Sequence, residues 1–190
     1  MGLLDVLLGR TRPVPSDLDR LFALPSAAVT LEAAASLTPT GTGAVCFASV
    51  EGAAFDDVRR EVRALLDTDA VEAVRDEYGY SWLVSRRRPQ ELPDLVGDLH
   101  MINSALEGGG FGPQLLCSVV GFRGGEGGER RLGLVYLYKR GTFYPFAPLP
   151  GEAGRRDNAL ELRVRAILAE DLRIEPDLGR WFPLWGAPGL

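Results

Sequence analysis

The run Arg131 to Lys139 limits most strongly how this chain can fold. Leu132, Leu134, Tyr136 and Tyr138 alternate there with Gly133, Val135 and Leu137, so a strand in this place is apolar on both faces. Such a strand belongs inside a sheet, with neighbours on either side and cover above and below. Leu115 to Phe122 is a second apolar run, and Gly124-Gly125-Glu126-Gly127-Gly128 lies between the two. A Gly-rich loop of that length predicts an antiparallel hairpin.

Around this hairpin the periodicity changes character. Leu92, Leu95, Leu99, Ile102 and Leu106 recur at helical spacing, with Pro93 near the start and Gly108-Gly109-Gly110 at the end. Asp56 to Asp67 carries Val58, Val62, Leu65 and Leu66 in the same way. A final helix is predicted from about Asn158 to Leu172, with Asn158 and Glu161 as a capping box and Leu160, Val164, Ile167 and Leu168 inward. Tyr78 to Val84 predicts an aromatic strand, and Ala44 to Val50 a short apolar one. Residues 16–23 predict a helical turn or two capped by Ser16, with Leu18, Leu21 and Phe22 inward and Pro25 ending the piece. Ala27 to Leu37 fits a helix or a strand, since Val29, Leu31, Ala33 and Ala35 alternate while the alanines favour helix. Thr38-Pro39-Thr40-Gly41 predicts a turn.

Strands and helices mixed in this irregular order imply an α+β fold with an antiparallel or mixed sheet packed with helices. The 190 residues suffice for one core. We divide them into a short amphipathic segment, 1–12, and a single domain, 13–190, which ends in an extended tail rich in Pro, Gly and aromatic residues. Leu3, Leu4, Leu7 and Leu8 share one face of that first segment, where they dock on the domain, bind a partner groove or touch a membrane.

The inventory of reactive groups is thin. Net charge is −5, against a general nucleic-acid binder. No leader pattern or membrane-length apolar run is present, so a cytoplasmic protein is expected, with attachment to the inner face of the membrane as an alternative. His100, the single histidine, falls to the side of its helix's apolar stripe and reads as structural. Cys46 and Cys117 lie in apolar runs and read as small buried hydrophobes. Neither zinc-ligand spacing nor a phosphate-loop signature occurs, so no catalytic, metal or cofactor residue is assigned and no enzyme is expected. A Cys117–His100 hydrolase is the enzymatic alternative. Arg86-Arg87-Arg88 is a solvated turn or a contact for acidic partners or anionic lipid. Thr142 to Pro148 and the tail are too broken by proline for regular core elements, and aromatic residues on such loops serve as binding anchors. Leu4, Leu7, Leu8, Tyr144, Phe146, Trp181 and Trp185 are therefore the candidate partner-binding residues.

Several segments together resemble a known family. They are Met1 to Arg10, Leu21 to Ala28, Gly112-Pro113-Gln114-Leu115-Leu116-Cys117, Val135 to Phe146 and Pro176 to Leu190. This set resembles the PspA-associated protein PspAB family of actinobacteria, nearly end to end. The resemblance implies a place in the phage-shock, or envelope-stress, system beside the membrane-remodelling coiled-coil protein PspA. It implies a protein partner and an adaptor role, and it carries no catalytic residues over.

Overall fold

In the computed structural model, the residues described are 17–48, 71–125, 127–152 and 154–190, with four further helical positions at Asp56, Arg60, Val62 and Ala64. The fold is α+β: an open six-stranded antiparallel sheet with helices on one face. Its strands are β1 (Leu37–Ala48), β2 (Val71–Arg75), β3 (Tyr80–Arg86), β4 (Leu115–Gly124), β5 (Arg130–Leu137) and β6 (Thr142–Phe146). Their spatial order is β2-β3-β1-β4-β5-β6. The helices are α1 (Leu24–Ala35), α2 (Leu92–Leu106) and α3 (Asn158–Ile167). The proposed boundary at residue 12 and the leucine face before it lie outside the described residues.

The predicted hairpin is present as β4 and β5, in register from Cys117 opposite Leu137 to Gly124 opposite Arg130. β5 is an inner strand covered on both faces. Leu132, Leu134, Tyr136 and Tyr138 join the core under the helices, while Val135 joins a second cluster on the opposite face. That second cluster also holds Ala44, Cys46, Trp82, Val84, Cys117, Val119, Tyr144 and Phe146. Its cover is the C-terminal tail, which contributes Trp181 and Ala187 to it, with Leu184, Trp185 and Leu190 packed against it. A tail thus stands where a second helix layer would stand in a three-layer fold.

The tail fits closely because two strand glycines face each other beneath it. Gly121 and Gly133 are directly opposed in β4 and β5. A Cβ on Gly121 would lie 2.5 Å from the Gly189 carbonyl oxygen, and one on Gly133 would lie 3.1 Å from Leu190 side-chain carbons. Glycine inside a strand commonly marks such an approach of another backbone. Gly121→Ala is expected to push the chain end off the sheet and cost about 1–3 kcal/mol, as overpacking does. Urea unfolding followed by tryptophan fluorescence measures it, and an unchanged midpoint would show that the chain end does not need this groove.

Several local expectations are corrected. The Ala27–Leu37 ambiguity resolves as helix over Leu24–Ala35, with Leu24, Ala27, Ala28, Leu31 and Ala35 buried at helical spacing. Pro25 opens this helix instead of ending the preceding turn, because a proline in the first turn gives up only an amide that has no intrahelical partner. Phe22 is exposed, not inward. Thr38 to Gly41 is part of the long strand β1, whose register against β4 shifts between Pro39 and Gly43, so the turn signals produce an irregularity within a strand. Asp157, not Asn158, caps α3 and accepts from the Leu160 amide, and that helix ends at Ile167.

Thr142 to Phe146 is also corrected, from a broken loop to strand β6, buried at every position. Pro145 is tolerated because β6 lies at the sheet's edge. The Phe143 amide points outward and donates to the Arg173 carbonyl, so the Pro145 nitrogen, two residues on, faces the same outer side and costs no sheet hydrogen bond. At the other edge, β2 fell in a stretch the sequence left unassigned.

Candidate functional site: the aromatic cavity on the tail face

The β2–β3 connection builds one wall of a cavity. Asp76 accepts through Oδ1 from the Tyr78 and Tyr80 amides, each at 2.9 Å, and Gly79 takes a positive φ of 84° to complete the turn. Its other oxygen, Oδ2, accepts from the Trp82 indole at 2.9 Å. One carboxylate therefore shapes the turn and fixes the tryptophan beneath it. The same turn leaves Tyr78 and Tyr80 exposed at the rim.

The tail supplies the facing wall. Tyr144 donates its hydroxyl to the Phe182 carbonyl at 2.9 Å, and its ring stacks on Trp181 at 6.0 Å between centroids. Trp185 meets Phe146 edge-on at 5.0 Å. Between the walls is a cavity of about 670 Å³, floored by Cys46, Cys117 and Leu116 and lined by Phe182, Leu184 and Trp185 from the tail. Volume, apolar lining and a few polar groups are those of a ligand or side-chain pocket. Phe182 is 56% exposed and Tyr78 57% exposed, so large aromatic surface stands free at its mouth.

A buried charge cluster holds the tail in place. Glu161 of α3 accepts from the Ala147 amide at 2.8 Å and from the Arg156 Nε through both oxygens, at 2.8 and 2.9 Å. Arg156 also donates to the Trp181 carbonyl at 2.8 Å and sits over the Phe146 ring. Burial pushes the Glu161 carboxyl above its ordinary value, and the Arg156 and Ala147 hydrogen bonds do not fully offset it. Glu175 behaves oppositely. Burial again acts upward, but hydrogen bonds from Thr142, Arg140 and the Asp177 amide outweigh it, leaving that carboxyl below its usual range.

The candidate anchors separate on this map. Tyr144, Phe146 and Trp181 are buried and hold the tail to the sheet. Trp185 lines the cavity. Leu4, Leu7 and Leu8 lie outside the described residues. The sequence places Tyr78-Gly79 inside a strand, but the structure makes them part of the β2–β3 turn and starts β3 at Tyr80, so Tyr78, Tyr80, Trp82 and Phe182 were not singled out as a site.

The remaining reactive groups do not converge. His100 lies on α2 in the helix layer, where its Nε2 is 3.2 Å from Asp19 and its ring is 5.0 Å from that of Phe22. Cys117 faces the other side of the sheet, so the structure does not bring the two together. The Arg86–Arg88 run is engaged internally: Arg86 with Glu72, Arg87 with Asp98 at 2.7 Å, and Arg88 with Glu91. Among the described residues no group of three or more His, Cys, Asp or Glu is placed to hold a metal, and no helix is long and apolar enough to cross a membrane.

Neither the curated proteins nor the solved structures contain a match to this chain. The family model for PspA associated protein B matches residues 1–189, and the chain belongs to that family.

Proposed function

We propose that this protein is a non-enzymatic adaptor that binds PspA in the cytoplasm as part of the envelope-stress response. The observation carrying this reading is the open apolar cavity rimmed by exposed Tyr78, Tyr80 and Phe182. Aromatic residues around a desolvated pocket are the usual energetic centre of a protein interface. The family name supports PspA as the protein that fills it. Apolar side chains projecting from a helix of PspA enter the cavity, and the amino-terminal leucines Leu4, Leu7 and Leu8 add a second contact.

The test is capture of purified PspA by three forms: the full chain, a form lacking residues 1–10, and Tyr78→Ala/Phe182→Ala. Both substituted residues are exposed, so the fold is expected to survive. Affinity is expected to fall at least about tenfold in the double variant, the loss of one modest hot spot. Full binding by the double variant would move the contact off this cavity. Absence of binding by the full chain would remove the adaptor reading. Anionic vesicles run in parallel separate a membrane contact from a protein one.

A further inference from the structure

Cys46 and Cys117 stand directly opposite each other on the antiparallel neighbours β1 and β4. Both side chains lie on the tail face, both are free thiols, and both floor the aromatic cavity. Opposed residues in an antiparallel pair have Cα atoms about 4.5–5.5 Å apart, inside the roughly 4.4–6.8 Å that disulfides span. The neighbouring Cys117 thiol and burial together raise the Cys46 thiol above its ordinary value.

We propose that Cys46 and Cys117 form a modification site, a cross-strand dithiol that a small uncharged organic disulfide entering the cavity oxidises to an intramolecular disulfide. The cavity's shape and lining select the reagent. Its volume of about 670 Å³ admits a small molecule, and its aromatic walls and the Asp76 carboxylate disfavour an anionic one. With Cys117 attacking first, Cys46 is the resolving thiol, and the reverse order gives the same product. The Cys117 sulfur gives up its proton, bonds to one sulfur of the reagent and breaks the reagent's S–S bond, releasing one small thiol. Cys46 then attacks the Cys117 sulfur of this mixed disulfide, and its proton leaves with the second small thiol. Two protein thiols lose two electrons and the reagent gains them, so the exchange balances without another reactant. The product is neutral, which suits an apolar floor where a lasting thiolate would not be solvated. It also ties β1 to β4 beneath the tail. This chemistry concerns the chain's own residues and does not depend on PspA being the protein that the cavity binds.

The experiment incubates the reduced full-length chain with hydroxyethyl disulfide and follows intact mass and peptide maps. The expected product is a monomer two hydrogens lighter, with the Cys46 and Cys117 peptides linked and with reversal by dithiothreitol. Cys46→Ser and Cys117→Ser are each expected to stop short of a linked product, with at most a single hydroxyethylthio adduct on the remaining cysteine. The rate in the intact protein should not change in low urea. Two adducts without a link, a covalent dimer or no reaction in the folded chain would overturn the proposal. So would a rate that climbs in step with urea-driven opening, because the thiols would then be reached only by unfolding.

Discussion

Arg156→Met lowers stability by about 3–5 kcal/mol, the cost of leaving one member of a buried ion pair without its partner. Glu161 is 2% exposed and takes both oxygens into the Arg156 guanidinium. Without that group it keeps only the Ala147 amide, in surroundings that already disfavour its charge. The loss extends to the tail, since Arg156 also holds the Trp181 carbonyl. Urea unfolding monitored by tryptophan fluorescence gives the value, and a loss below about 1 kcal/mol would mean that the pair is no better than a surface one. Arg156→Met/Glu161→Gln recovers part of the loss, because the second change removes the stranded charge and keeps an acceptor for Ala147.

The two buried carboxylates also give opposite pH dependences. Glu161 has a raised folded value, so between its unfolded and folded values the native state binds the extra proton, and stability rises as pH falls. Glu175 has a lowered folded value, so its contribution is complete above the unfolded value and is lost as pH falls through the folded one. Stability measured across the carboxylate range on Glu161→Gln and Glu175→Gln separates them. The first variant loses the rise on acidification, and the second loses the fall. Equal slopes in both would contradict the assignment.

Trp181→Ala is the second large effect, at about 3–5 kcal/mol for truncating a buried aromatic side chain. Its ring is 6% exposed and stacks on Tyr144, while its indole N–H donates to the Glu175 carbonyl at 3.0 Å. Loss of that ring unpins the tail from a face carrying Cys46, Trp82, Val84, Val119, Val135 and Phe146. Deletion of residues 176–190 uncovers the whole face and is expected to make the chain aggregate, as a large exposed apolar patch does. Phe182→Ala, one residue further on, removes an exposed ring and should stay within about 0.5 kcal/mol. Chemical unfolding and light scattering compare the three. A soluble, cooperatively folded truncation would show that the tail is not part of the core. Arg156 and Trp181 touch, so their losses combine non-additively.

The elements with strong periodicity were legible from the sequence because their pattern and their burial coincide. The stripe Leu92, Leu95, Leu99, Ile102 and Leu106 is the buried face of α2, and the β4–β5 hairpin follows its two apolar runs and glycine loop. Where a residue type has two uses, the sequence misled. Pro25 and Pro145 suggest breaks, yet one occupies a helix's first turn and the other an edge strand, both places where a missing N–H costs little. Strand β2 is short and carries exposed charges such as Glu72, so it has no apolar signature to detect.

The candidate site was legible only in its materials. Aromatic residues concentrated in β6 and the tail pointed to that end of the chain, but they could not say which rings form the core and which face solvent. Tyr144 and Phe182 share a hydrogen bond in one wall of the cavity, yet the first is buried and the second exposed. Local order along the chain is set by neighbouring residues, so the α+β class, the main hairpin and the need to cover β5 on both faces follow from the residue pattern alone. What provides that cover depends on contacts between residues far apart in the chain. Trp181, Arg156 and Glu161 lie far from β1 and β3 in sequence, and it is their long-range contacts that fold the tail down and close the cavity over Cys46, Cys117 and Trp82.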